Sequence, residues 1–552
     1  MKRIKTISHS KMILQNMTIR ASLLAAITIT LLINAGCSTE TPVSQNATEA
    51  KEETNGLSGV NSEPKITPVV FQNRSSDGNP VVIDGDLSSV DWSSLVGKDV
   101  TVAGDLVVVD TYDLLRRGQV KVARDRLYIP TSLVDPNDDD PKKTSYKGGS
   151  NVAKVVKAQK LNDKASIIID DGSAAQNIYP PTLFPDFGST LPTVRVGSKV
   201  KGVSGKLVKA GRVLLLVPNQ PLQWIPAERP ARPDVGDADV TVSSFNVLNY
   251  FTTIDNGSND ARGADSESEF KRQEAKIVSA IIALNADVIG LMEIENNIEA
   301  EQQLLAALNK EVGKDVFKGG GFPDGFQDTP GSSDAIRVAM IYRDDRVDTV
   351  GDVSTIDDYA FGRARAPIVQ TFKSKSGGSP FTVIVNHFKS KGGASRADVV
   401  NKNKGDGQGA YNSARRDQAL AICKFVDNFK QIQKRPRVLV IGDLNAYDQE
   451  DPIDALRASG LVDLQELSEE KLSPNRVEPH YSYLHYGQSG SLDHAFATKS
   501  LAEDVTGVAT WHINADEPQF LDYNEEYRSK KIFVADPFRS SDHDPVLIGI
   551  RN

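Results

Sequence analysis

The sequence predicts an α/β unit in its C-terminal part, preceded by a small all-β unit. Three observations carry this. At 552 residues the chain is too long for one ordinary domain. From Val240 onward, strand-like runs alternate with helical ones. Between about residues 81 and 232 the runs are short and strand-like, split by Gly and Asp, with no long amphipathic helix between them. The expected division is a leader at 1–37, a disordered tether at 38–80, the β unit at 81–232 and the α/β unit at 238–552.

The leader is read first. Lys2, Arg3, Lys5, Lys11 and Arg20 form a basic region, and ASLLAAITITLLINA (21–35) is an apolar stretch too short for a comfortable membrane span. INAGC then ends at Cys37 and resembles a bacterial lipobox, with Asn34 where Leu is usual. Two outcomes follow: acylation of Cys37 and anchoring at the outer membrane or cell surface, or plain cleavage and secretion. Ser38 after the cysteine, in place of Asp, favours outer-membrane sorting. Both make the protein exported. The membrane is then met only through a lipid anchor, and a monomer is expected. Cys37 and Cys423 are the only two cysteines, which excludes a thiolate metal site and a multi-disulfide scaffold. Cys423, in ALAICKFV, reads as a small buried apolar residue. Residues 38–80 are polar and weakly patterned, hence a tether.

In the β unit, DVTVAGDLVVV, ASIIIDDG, SKVKGVSGKLV and RVLLLVP are the strand candidates. PAERPARPDVGDAD (226–239) is a Pro-rich linker. Beyond it TVSSFNVLNYF is a strand. FKRQEAKIVSAIIALN places Ile277, Val278, Ile281, Ile282 and Leu284 on one helical face. DVIGLMEIE, RVAMIYR, FTVIVNHF, RVLVIGDLN, LDHAFAT and PVLIGI are further strands, in one large sheet or two, with helices outside.

Polar residues recur at the ends of these strands: Asn246 and Asn249 in FNVLN, Glu293 in LMEIEN, His387 in VNHFKSK, Asp443 and Asn445 in GDLN, Asp493 and His494 in SLDHAFA, and Asp542 and His543 in SDHDPV. Strand ends on one side of an α/β sheet share a crevice. A single Asp there is most often a turn or cap, and Asp544 fits that role; six strands with the same habit point to a site.

Asn, Asp, Glu and His oxygens and nitrogens without thiols suit a hard cation. Mg²⁺ is the first choice, with Ca²⁺ or Mn²⁺ as alternates, and Glu293 and Asp542 are the natural carboxylate ligands. Zinc on His387, His543 and a carboxylate is the runner-up. Two imidazoles beside a metal fit general acid–base work on a phosphate ester, with Asp493 as partner of His543.

The net charge of −9, with 25% charged residues, argues against a generally basic DNA-coating protein, so nucleic-acid binding must rest on a local patch. Lys389, Lys391, Arg363, Arg365, Arg415 and Arg416 lie beside the strand ends. Arg365 is the best phosphate clamp; Arg415 and Arg416 also fit a solvated helix face.

The order FN, LxE, NHxxSK, GDxN, LDH, SDHxPV resembles the endonuclease/exonuclease/phosphatase superfamily over 240–552. RGADSESEFKRQEAKIV, GLMEIENN, GDGQGAYN, GQSGSLDHAFA and WHINADEP are similar to large secreted bacterial nucleases of that superfamily. TYDLLRRGQVKVARDRLYIPTSLV, IIIDDGS and RVGSKVKGVSGKL resemble the oligonucleotide-binding (OB) fold such nucleases carry upstream. The resemblance implies a four-layer α/β/β/α sandwich and metal-dependent hydrolysis of phosphodiesters in extracellular DNA, with RNA a second substrate and internal cutting the expected mode. It implies Asn246, Glu293 and Asp542 as metal ligands, and Asp443 and Asn445 as orienting water and phosphate. His387 is implied as a general acid–base or phosphate contact, Asp493 as orienting a phosphate-contacting His543, and Arg365 as a phosphate clamp. One departure stands out: the Glu that orients the first histidine in pancreatic-type deoxyribonucleases falls near Ile336, with only Asp334 close by. The alternative on the same fold is a phosphodiesterase or phosphatase acting on lipid or small phosphoesters.

Overall fold

The computed structural model describes residues 79–137, 150–188, 193–472, 479–526 and 532–551. The expected leader, Cys37 and nearly all of the tether lie outside them. The described residues all belong to one unit, Gly56–Asn552.

Sheet membership changes at the Pro-rich segment. Residues from Val81 to Ile225 build one nine-stranded sheet, and everything from Val240 onward joins other sheets. The first sheet is mostly antiparallel. Its buried rows are spaced two apart: Val100 and Val102, Leu106 and Val108, Val120 and Val122, Ile167 and Ile169. Phe520, Leu521 and Ile532, from far along the chain, pack into the same core. One expectation fails here. A 13-residue helix, Val152–Lys164, interrupts the strands, and Val155 is its only buried residue. It rests on good helix formers (Ala, Lys, Gln, Leu) instead of an apolar stripe, so a periodicity test passes over it.

The C-terminal part holds two six-stranded sheets. One runs Phe317–Gly319, Ile336–Arg343, Val288–Glu295, Val240–Tyr250, Val546–Ile550, Val505–Thr510. The other runs Val347–Thr355, Ile368–Ser374, Phe381–His387, Val438–Asp443, Asp493–Ala497, Val462–Asp463. Each has one parallel pair near its centre, Val240–Tyr250 with Val288–Glu295 and Phe381–His387 with Val438–Asp443.

The two-residue period of a strand sorts these side chains between cores. Val240, Val242, Val288 and Val338 of one sheet share a cluster with Val383, Val385, Leu439, Ile441 and Ala495 of the other. The alternate residues of the first sheet, Phe245, Val247, Ile289 and Leu291, pack on Ile277, Ile281, Leu284 and Leu304 of the helices Glu267–Leu284 and Ile298–Val312. Those of the second sheet, Ile384, Val438, Val440 and Phe496, pack on Ile422, Val426, Ile453 and Leu456 of the helices Asn412–Ile432 and Asp451–Ala458. The predicted face of the first helix is correct: Ile277, Val278, Ile281 and Leu284 are buried and Ile282 partly so. Ser266 caps that helix, accepting from the Glu269 N–H, and Asn285 ends it in the left-handed conformation.

Candidate active site

Register explains how the polar residues meet. His387 lies directly opposite Asp443 in the parallel pair, and Asp443 directly opposite Asp493 in the next pair. These three residues continue the rows Val383–Val385, Leu439–Ile441 and Ala495–Ala497, which face the other sheet. Asn246 continues the Val240–Val242 row from the opposing sheet, and its Nδ2 donates to Asp443 Oδ2 at 3.3 Å, joining the two sheets. The apolar core between the sheets therefore becomes a polar row at one end.

Local backbone irregularity aims the remaining groups. Glu293 has φ 64° where the ladder shifts between Leu291 and Ile294. Leu248, Asn249 and Asn445 also have positive φ. Non-glycine residues adopt this conformation at a cost, on the order of 1 kcal/mol or more each, and bulges re-aim side chains. Glu293, partly buried, accepts from the Asn249 N–H at 3.2 Å and stands 3.9 Å from His387 Nε2.

Asp443 is the centre. Its Oδ2 is 3.3 Å from His387 Nε2 and 4.0 Å from His543 Nε2, while Oδ1 accepts from the Asn445 N–H at 2.8 Å. Burial works against its ionisation, but His543 and His387 outweigh burial and hold the carboxyl well below the usual carboxylate range. His543 is gripped from behind: its Nδ1 is 2.7 Å from Asp493 Oδ2, which also accepts from the Ser482 hydroxyl at 2.6 Å. Burial alone would lower the His543 pKa; Asp493, Asp443 and Asp542 together raise it well above the ordinary histidine value. The surrounding carboxylates therefore favour the imidazolium form of His543.

A profile of the Endonuclease/Exonuclease/phosphatase family matches residues 243–543, more than half of the chain. The chain belongs to this family. Solved structures similar to it include the catalytic domain of human Nocturnin with bound sulfate (17% identity, 57% of this chain and 95% of that chain, TM-score 0.36). They also include D. rerio TDP2 complexed with single-strand DNA product (16%, 57% and 99%, 0.35) and a mannosyl-6-phosphatase of Bacteroides thetaiotaomicron (18%, 57% and 100%, 0.33). No curated protein matches. Members of the endonuclease/exonuclease/phosphatase family are phosphoester hydrolases, typically dependent on a divalent metal, and membership supports general phosphoester hydrolysis for this chain.

The donor set fits such a cation. Among the described residues, one ligand atom each from Glu293, His387 and Asp443 lie within 4.8 Å of one another. Asn246 accepts from the Leu248 N–H at 3.0 Å with Oδ1, which keeps its second lone pair. Asp542 is outside this tight group, half-buried beside His543 and Tyr483, whose ionisation its charge influences.

The basic residues divide into two kinds. Arg365 is buried, donates to Phe388 O at 3.2 Å and stands 3.5 Å from Asp334, with Glu293 and Asp443 in its field. Burial, reinforced by Arg365, pushes Lys389 down to about 8. Lys391 is also pushed down to about 8, by burial with Arg415 adding, although Glu450 opposes the shift from hydrogen-bond distance. Arg415 is fully buried and donates to the carbonyls of Gln408, Ala410 and Lys389. It pins the Gly-rich loop against the helix, so neither the solvated face nor a phosphate contact describes it. Arg416 pairs with Asp417 at 3.5 Å, and Arg363 with Asp398 at 2.9 Å.

Two residues at the site escape sequence reasoning. Tyr483 tilts over the His543 ring at 4.7 Å, and Ser482 holds Asp493. Both come from HYSYLH, which carries no periodic signal. Asp544, in contrast, shapes the turn: it accepts from the Asn514 and Ala515 N–H groups and meets His512 Nδ1 at 2.9 Å. His494 points to the other side of the sheet, with Nε2 against Ala446 O.

Proposed function

We propose that this protein is an exported, metal-dependent nuclease that hydrolyses phosphodiester bonds in extracellular DNA, and in RNA as a second substrate, by internal cutting. The observation that carries this reading is the row His387–Asp443–Asp493 facing Asn246 and Glu293, with His543 clamped above it. In this reading the two C-terminal sheets and their outer helices form a four-layer sandwich, and residues 81–232 an OB-like module. Cys37 is the lipid anchor of a monomer.

Each group has a task. Asp443, kept ionised between two imidazoles, accepts the proton of the attacking water, and Asn445 orients that water and the phosphate. His543, held as a cation by Asp493, contacts a non-bridging oxygen and stabilises charge as it develops. His387 supplies the second acid–base group. Arg365 clamps the phosphate from the far side, and Lys389 adds a positive charge beside it. Glu293, Asp542 and Asn246 would hold a divalent cation, Mg²⁺ in preference to Ca²⁺ or Mn²⁺, which would supply positive charge to a phosphate ester.

A polymer substrate is favoured by how the N-terminal β unit meets the rim. The Ile129 N–H donates to Ser489 O, Arg126 reaches the Ser489 hydroxyl, and the Thr131 hydroxyl donates to Glu450, the partner of Lys391. The rim thus extends from the site to the β unit.

The test is supercoiled plasmid incubated with the protein in Mg²⁺, with and without EDTA. Nicked and linear DNA that EDTA abolishes is the expected result. An intact plasmid, together with hydrolysis of small phosphodiesters, would leave a phosphoester hydrolase and remove the nuclease.

A further inference from the structure

A second cluster of ligand-type atoms lies behind the catalytic row. Asp493 and His494 are neighbours on one strand, so their side chains leave opposite faces of the sheet. Asp493 faces His543; His494 faces away, toward Asp448 and His480. One ligand atom from each of these three residues lies within 4.8 Å of the others. All three are buried: His494 is 0% exposed, Asp448 4% and His480 9%.

The protonation of His494 follows from its hydrogen bond. Nε2 sits 2.8 Å from Ala446 O, and a carbonyl oxygen only accepts, so Nε2 carries the proton. In the neutral ring Nδ1 then presents a lone pair. That atom is fully buried and has no hydrogen-bond partner among the described residues. The Asp448 carboxylate lies 2.7 Å from His480 Nε2, and against burial the two imidazoles lower its pKa. The unpartnered His494 Nδ1 lone pair and the Asp448 oxygens thus converge on one spot. A ring N–H given to a backbone carbonyl is the outer-shell arrangement that metal-bound histidines almost always show.

We propose that Asp448, His480 and His494 form a second metal site, structural in role, that takes a zinc-class divalent cation. Two imidazoles and one carboxylate suit zinc better than Mg²⁺ or Ca²⁺. Zinc–ligand bonds near 2.1 Å place tetrahedral ligands about 3.4 Å apart, so Asp448 and His480, now 2.7 Å apart, open by about 0.7 Å to admit the ion. The site joins three segments that each serve the catalytic row. Asp448 lies on the loop that follows the Asp443 strand and carries Asn445, His480 precedes Ser482, and His494 follows Asp493. The alternative is a plain Asp448–His480 ion pair with His494 beside it.

The measurement is metal content of the full chain after zinc loading and exhaustive buffer exchange. The wild type is expected to retain one more equivalent than His480→Gln and than His494→Gln, with circular dichroism unchanged. Glu293→Gln, which alters only the catalytic cluster, is expected to keep that equivalent. Zinc content equal in wild type and His480→Gln overturns the proposal, as does a wild type that retains none. Should His494→Gln fail to fold, cobalt decides. The wild type loaded with Co²⁺ should show the visible d–d bands of a four-coordinate ion, absent from His480→Gln; their absence from the wild type overturns the site.

Discussion

The two imidazoles of the candidate site are held in opposite ways. His543 has Asp493 at 2.7 Å behind Nδ1, and Asp493 is itself held by Ser482. His387 has nothing behind it: its Nδ1 is buried and has no hydrogen-bond partner among the described residues. Asp334, the acid nearest in sequence to the expected orienting position, turns to Arg262 at 3.0 Å and Arg365 at 3.5 Å instead. One ring therefore has its tautomer and charge fixed by the fold. The other takes its orientation from the front, from Asp443 and Glu293. A polarised, charged imidazole and an unanchored one are suited to different work, electrostatic stabilisation and proton exchange respectively.

Asp443 is the one group both rings share, so replacing it removes the comparison altogether. Asp443→Asn should lower kcat on plasmid by about 10³-fold or more, with folding retained by circular dichroism. A loss under tenfold would mean that the two rings do not act through this carboxylate.

The next variants separate the rings. Asp493→Asn offers His543 an amide in place of a carboxylate, removing the charge that holds it as an imidazolium. We expect a loss of about 10²-fold in kcat. Asp334→Asn should cost less than about tenfold, mainly through KM, because it loosens Arg365 and leaves His387 as it is. Equal losses in the two variants would show that Asp334 orients His387 after all.

Stability against pH reads the same asymmetry without substrate. The folded-state pKa of His543 is raised, so its charge stabilises the fold fully below the unfolded value, about 6.5. That contribution is lost as pH rises through the raised folded value. The Tm gap between wild type and His543→Gln in metal-free buffer should be widest below about pH 6.5 and narrow into the alkaline range. A gap independent of pH would mean that the ring is held as a neutral group.

Much of this was legible in the sequence. The strand ends are marked by β-branched runs stopping at a polar residue, and the spacing of two sorts Asp443 to the row of Leu439 and Ile441. His387 and Asp493 follow the same spacing, whereas His543 lies in the turn before the strand Val546–Ile550. What escaped depends on chain segments far apart. The segment HYSYLH brings Ser482 and Tyr483 to the site only because the Asp493 strand lies beside Asp443. Arg415 reads as a surface residue by charge alone, yet it donates to two backbone carbonyls of a Gly-rich loop and to that of Lys389. The helix Val152–Lys164 escaped because almost none of it is buried.

The smallest effect tests how deep the grip on His543 goes. The Ser482 hydroxyl donates to Asp493 Oδ2 at 2.6 Å and accepts from the Leu492 and Asp493 N–H groups, each at 3.1 Å. Ser482→Ala removes that hydroxyl and leaves two buried N–H groups unpaired, a cost of about 1–3 kcal/mol in chemical denaturation. Oδ2 still meets His543 Nδ1, so the ring keeps its charge and kcat should fall by no more than about fivefold. If instead kcat falls as far as in Asp493→Asn, the serine sets the carboxylate's direction, and the asymmetry between the two imidazoles begins one residue further back than the Asp493–His543 pair.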